Sequence, residues 1–156
     1  MCNIKVVFLL PFLIIVQTIF GQSSEDTLSI RKVISMFQAD FNDGSFKNTY
    51  QYTTKDWEHI NPLGGIDKGR DSVLSVVKMV HQTFLKGVTM KTQSMSIRFI
   101  TPDVAIADVV HKIDTYITPD GVKHENESHV KTYVVVKRNG KWLLTHDHNT
   151  IQMSMK

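Results

Sequence analysis

Two stretches of this chain repeat one apolar spacing. Ile30, Val33, Ile34, Phe37 and Phe41 fall at 0, 3, 4, 7 and 11, and Val73, Val76, Val77, Val80 and Phe84 fall at the same intervals. That is the period of a helix with one buried face. Two helices with matching stripes call for one apolar surface on which both can lie, and the second half of the chain reads as that surface. Strand patterns run over 88–100, 104–117, 127–137 and 142–151, separated by Thr101-Pro102-Asp103, Pro119-Asp120-Gly121 and Asn139-Gly140. The last of these is the strongest short hairpin signal a sequence offers.

Earlier in the chain, Asn42-Asp43-Gly44 stops the first helix. Phe46 and Tyr50, one turn apart, mark a brief second helix. Trp57, His59 and Asn61 alternate along a short strand at 53–60, and Lys68-Gly69-Arg70-Asp71 leads into the third helix, which ends at Lys86-Gly87. The expected fold is α+β: a curved antiparallel sheet with three N-terminal helices collected on one face. A parallel α/β sheet is excluded because the second half has hairpins and no crossover helices. Two long helices among the first five elements disfavour a jelly roll.

Residues 1–21 read as a secretory signal, and residues 22–156 as a single domain. Lys5 precedes eleven residues, 6–16, without a polar side chain, which is too short to span a bilayer as a helix and suits a signal core. The expected product is exported, periplasmic or secreted, with no membrane attachment after cleavage at Gly21. The one cysteine, Cys2, lies in that leader, so the mature domain has neither a disulfide nor a thiolate metal site. The 18 Lys+Arg against 15 Asp+Glu give a small net charge of +3 without a basic block, which argues against a nucleic-acid partner. No dinucleotide or flavin fingerprint is present, and no cofactor is expected.

Several short motifs resemble the nuclear-transport-factor-two-like superfamily, which includes ketosteroid isomerases and SnoaL-like cyclases. They are Phe41-Asn42-Asp43-Gly44-Ser45 at the end of the first helix, Gly64 with Lys68-Gly69-Arg70-Asp71-Ser72 before the third, Phe99-Ile100-Thr101-Pro102-Asp103-Val104-Ala105, and Gly140-Lys141-Trp142-Leu143-Leu144 with His146 and His148-Asn149-Thr150. Within that superfamily the chain resembles the SgcJ/EcaC-like branch. The resemblance implies a cone-shaped sheet with the three helices on its concave face and a pocket between sheet and helices. It does not carry over the isomerase mechanism, because the first helix offers Phe37 and Phe41 where a tyrosine would be needed.

Seven histidines stand in the chain, five of them on expected strands. In an apolar pocket an imidazole can act as base, acid or ligand contact. Strict alternation puts Trp142, Leu144, His146, His148 and Thr150 on one face of the last strand, with Asp147 and Asn149 on the other. His146 and His148 are therefore the candidate catalytic pair. Trp57, His59, His111, His129, Tyr133 and Trp142 are the candidate ligand-binding residues, with core packing the plainer role for Trp142. His-x-His on a strand also allows a metal, with His59, His111 or His129 as a third ligand, but no spacing fixes which and no metal site is assigned. Asp40 reads as a solvated charge on the first helix.

These features point to an exported small-molecule-binding protein with a His-lined apolar pocket for a small apolar or aromatic molecule. The alternatives are a cofactor-independent isomerase, cyclase or dehydratase using a pocket histidine as base, and a dimeric interaction module without catalysis. The Val- and Thr-rich outer face of the sheet suggests a homodimer.

Overall fold

A computed structural model describes residues 19–152. Most of the expected signal segment, and Cys2 with it, lies outside the described residues. The elements are α1 (Ile19–Asp43), α2 (Thr49–Tyr52), β1 (Thr53–Ile60), β2 (Ile66–Lys68), α3 (Arg70–Gln82), β3 (Met90–Thr101), β4 (Val104–Ile113), β5 (Tyr116–Ile117), β6 (Lys123–His124), β7 (Ser128–Arg138) and β8 (Lys141–Gln152). Six strands form a curved sheet in the order β2-β1-β8-β7-β4-β3, while β5 and β6 pair only with each other.

The α+β cone is therefore found, with one change. The sheet is mixed, because β1 runs parallel to β8. After β1 the chain leaves through β2 and α3, joins the far edge at β3, and returns by hairpins, so the last strand arrives beside the first in the same direction. Parallel neighbours need a long connection of this kind. The Asn139-Gly140 turn behaves as its sequence requires, with both residues at positive φ (52° and 75°).

The two stripes meet the concave face. Ile30, Val33, Ile34 and Phe37 of α1 and Val73 of α3 are buried, packed with Trp57, Ala105, Ala107, Val109, Tyr133, Val135 and Leu144 from the strands. Asp26 of α1 accepts hydrogen bonds from Trp142 Nε1 at 2.8 Å and Lys137 Nζ at 2.7 Å, fastening the helix to β7 and β8. Helix α3 stops at Gln82, short of Lys86-Gly87, and Phe84 and Leu85 follow in a turn. Among the described residues no helix is long and apolar enough to cross a membrane.

Asp40 is not solvated. It is buried, and its carboxylate accepts from the Asn48 backbone N–H (3.1 Å), Asn48 Nδ2 (2.9 Å), Thr49 Oγ1 (3.2 Å) and Tyr52 OH (3.0 Å). A charge-assisted cluster of this kind fixes the α1–α2 junction.

Candidate functional site

Strand β8 decides what the cavity contains. Its register against β7 slips between Val134 and Val135: Val135 faces Leu144, and Val134 faces His146, leaving Thr145 as an extra residue. Such a bulge reverses the alternation beyond it. Trp142 and Leu144 are buried before the slip; after it the buried residue is Asp147, fully enclosed. His146 and His148 turn to the outer, convex face. The side chain of His146 is 33% exposed, 4.0 Å from Glu58, and His148 is exposed. The expectation that these two share a face with Trp142 and Leu144 thus fails at one inserted residue.

The cone holds a cavity of about 240 Å³. Its walls are apolar: Phe37 and Phe41 from α1, Val76, Val77 and Val80 from α3, and Met90, Ile113 and Ile151 from the strands. Trp57, His59, His111 and His129 line it, as expected for ligand contacts. Tyr133 and Trp142 do not. Tyr133 lies behind the lining, its hydroxyl bonded to His111, and Trp142 packs on Phe99 at 5.8 Å away from the lining, in the core role. The sequence reading missed Lys131, Asn149, His81 and His124, which also line the cavity.

The polar floor centres on Asp147. Its Oδ1 accepts from Trp57 Nε1 at 2.8 Å, and its Oδ2 accepts from His59 Nδ1 at 2.8 Å and Lys131 Nζ at 2.7 Å. Burial alone would raise this carboxyl. The Lys131 ammonium and His59 outweigh that effect and hold it well below the usual carboxylate range. Lys131 is itself buried, its Nζ 4.1 Å from the centre of the Phe37 ring.

Hydrogen-bond partners sort the histidines by what each can offer. Asp147 takes the Nδ1 hydrogen of His59, so Nε2 is the atom left for a ligand. Among the described residues nothing bonds to it. His111 is spent. The Thr92 hydroxyl donates to Gln38 Oε1, so Thr92 accepts from His111 Nδ1 (3.3 Å), and His111 Nε2 accepts from Tyr133 OH (2.9 Å). Burial, with the nearby Lys131 charge, pushes His111 down to about 3 and keeps it neutral. His129 Nδ1 meets Asn149 Nδ2 at 3.1 Å and its Nε2 faces Glu127 at 3.6 Å; burial lowers its pKa despite that carboxylate. His81 Nδ1 donates to the Val77 carbonyl at 2.8 Å. His124 stacks on Tyr116 at 4.6 Å and is held by Glu127, so the β5–β6 hairpin forms part of the cavity wall. Among the described residues no three His, Cys, Asp or Glu side chains are placed to hold a metal ion.

Residues 27–153 match the family model of the calcium/calmodulin dependent protein kinase II association domain. The chain belongs to that family. The association-domain match stands where the sequence motifs pointed to the SgcJ/EcaC-like branch, and the fold is the one they implied. No curated protein matches the chain. Among solved structures, an uncharacterized protein with a cystatin-like fold from Caulobacter vibrioides is 27% identical, covering 83% of this chain and 91% of that one, with a TM-score of 0.79. A nuclear-transport-factor-two-like protein of unknown function from Pseudomonas putida is 14% identical, covering 87% and 93%, with a TM-score of 0.70. A candidate scytalone dehydratase from Novosphingobium aromaticivorans is 15% identical, covering 85% and 87%, with a TM-score of 0.68. The latter two likenesses speak to the fold alone.

Proposed function

We propose that this association-domain relative binds a small, largely apolar molecule in its cavity and moves a proton on it without a cofactor, with His59 as the base. The observation that carries this reading is the buried Asp147–His59 pair. A carboxylate that takes one imidazole hydrogen orients the ring and favours the imidazolium formed when the other nitrogen accepts a proton. The apolar walls support a flat, weakly polar ligand. The catalytic role first assigned to His146 and His148 moves to His59, because those two lie on the opposite side of the sheet.

Two further properties belong to the same proposal. Export rests on the composition of residues 1–21 and is tested by N-terminal sequencing of the purified native protein. A homodimer through the convex face rests on Ile106, Val110, Val130, Val134 and Leu143, apolar side chains on the outward positions of three adjacent strands, and is in keeping with an association-domain family. Light scattering of Val134→Lys against wild type tests it.

The base is tested with 2-tetralone, a bicyclic ketone. Its binding is read by thermal shift, and a compound at 100 times its dissociation constant adds ~2.7 kcal/mol of stability. Exchange of its α-hydrogens in D2O is read by proton NMR. Wild type should accelerate exchange, and His59→Gln should lose on the order of 10²-fold or more. An unchanged rate in His59→Gln would remove His59 from the chemistry.

A further inference from the structure

Lys131 is a buried ammonium in the wall of an apolar cavity. Two oxygens of Asp147 already receive Trp57 and His59, so the carboxylate would not be without partners if an apolar side chain of similar length replaced the lysine. The lysine nevertheless reaches over the Phe37 ring to the same oxygen, Oδ2, that His59 holds. Imidazole and ammonium grip one atom and are therefore immediate neighbours. An ammonium has three hydrogens. One goes to Asp147, and the others have only ring faces near them, Phe37 at 4.1 Å and Tyr133 at 5.4 Å; among the described residues no further oxygen or nitrogen acceptor meets the ammonium, and Lys131 lines the cavity.

We propose that Lys131 receives the negative charge that develops on a substrate oxygen while His59 removes a proton from the adjoining carbon, which makes the substrate class a small, largely apolar carbonyl compound with a hydrogen on its α-carbon. This rests on His59 being the base. The step balances without oxidant or reductant. The α C–H bond breaks, its electron pair enters the carbonyl system as an enolate, the proton goes to His59 Nε2, and the enolate oxygen takes a hydrogen bond from Lys131 Nζ. Return of a proton from His59 to either end of the enolate system completes an isomerisation or an exchange. A fixed donor in a dry site acts most strongly on charge that appears only along the reaction path. The charge balance of the floor agrees: Lys131 and Asp147 neutralise each other, and the enolate and the His59 imidazolium form as a second neutral pair.

The experiment follows 2-tetralone α-hydrogen exchange and binding in wild type, Lys131→Met, Lys131→Arg and His59→Gln. Lys131→Met should still bind the ketone but exchange on the order of 10²-fold more slowly. Lys131→Arg should recover part of the rate, because it restores the charge in a different geometry. A Lys131→Met rate equal to wild type would overturn the role of Lys131 and leave His59 standing. No exchange by wild type would overturn both. Since Lys131→Met could fail to fold around an unneutralised Asp147, wild type alone supplies a second readout with 2-naphthol, whose anion mimics an enolate. Absorbance should show the bound compound as naphtholate at a pH where the free compound is neutral. Binding only as the neutral naphthol would contradict the proposal.

Discussion

Asp40, on α1, and Asp147, on β8, are both buried carboxylates, and they differ in what surrounds them. Asp40 is held by a backbone N–H, an amide and two hydroxyls, all within the α1–α2 junction. None of these partners takes up a proton near neutrality. Asp147 is held by an indole, an imidazole and an ammonium, and all three of those side chains line the cavity. Burial of an acid therefore does not mark a site; the chemistry of its partners and the direction they face does. Asp40 stabilises a joint, and Asp147 sets up a floor.

The sharpest way to break this contrast is to remove the acids in turn. Asp147→Ala should be the most damaging change, costing about 3–5 kcal/mol in urea unfolding, because it leaves Lys131 buried without its counter-charge. It should also abolish the exchange chemistry. Acid titration comes next. His111 has its folded value pushed down to about 3, below the usual ~6.5 of an unfolded histidine. Its contribution is complete above pH ~6.5 and is lost as pH falls from there toward 3, with a slope approaching ~1.4 kcal/mol per pH unit. Unfolding followed between pH 7 and 5 should therefore lose about 2 kcal/mol from this residue, and His111→Gln should flatten the profile. Asp147, held low, works in a different window: its stabilisation is present above the ordinary carboxylate value of ~3.9 and is lost only as pH falls below it.

Asp40→Asn should cost roughly 1–3 kcal/mol, since it removes the charge from four hydrogen bonds, and should leave 2-naphthol affinity unchanged. A loss of affinity there would erase the distinction between the two acids. His146→Ala and His148→Ala should be the mildest, within about 0.5 kcal/mol and without effect on binding, as befits side chains on the convex face.

The helices, the hairpins and the concave core could all be read from the chain, because they rest on periodicity over many residues. The stripes of α1 and α3 and the Asn139-Gly140 turn each signal one structure. The site was only half legible. His111 and His129 lie on strands whose alternation holds, Trp57 and His59 keep the two-residue spacing at the end of β1 despite a register shift earlier in that strand, and all four reach the cavity. Lys131 also carried a signal: it stands two residues from both His129 and Tyr133 and so shares their face. Its charge made a solvated position the natural reading. Asp147 had no signal. Thr145 resembles any other strand residue, and the bulge it forms is set by how β8 is clasped between β1 and β7, where Thr54 donates to it at 3.1 Å. One inserted residue exchanged Asp147 for His146 and His148 and changed the nature of the floor. The parallel β1–β8 pair was hidden for a related reason, since strand order depends on contacts between the two ends of the chain.

The most direct test of the floor is a nitrogen–proton NMR correlation of the histidine rings, recorded with and without 2-naphthol. His59 should show its hydrogen on Nδ1, facing Asp147, and its Nε2 signal should be the one that moves when naphthol binds, while His146 and His148 stay still. Movement of His146 and His148 with an unperturbed His59 would contradict the assignment of the Asp147 side of β8 as the functional face.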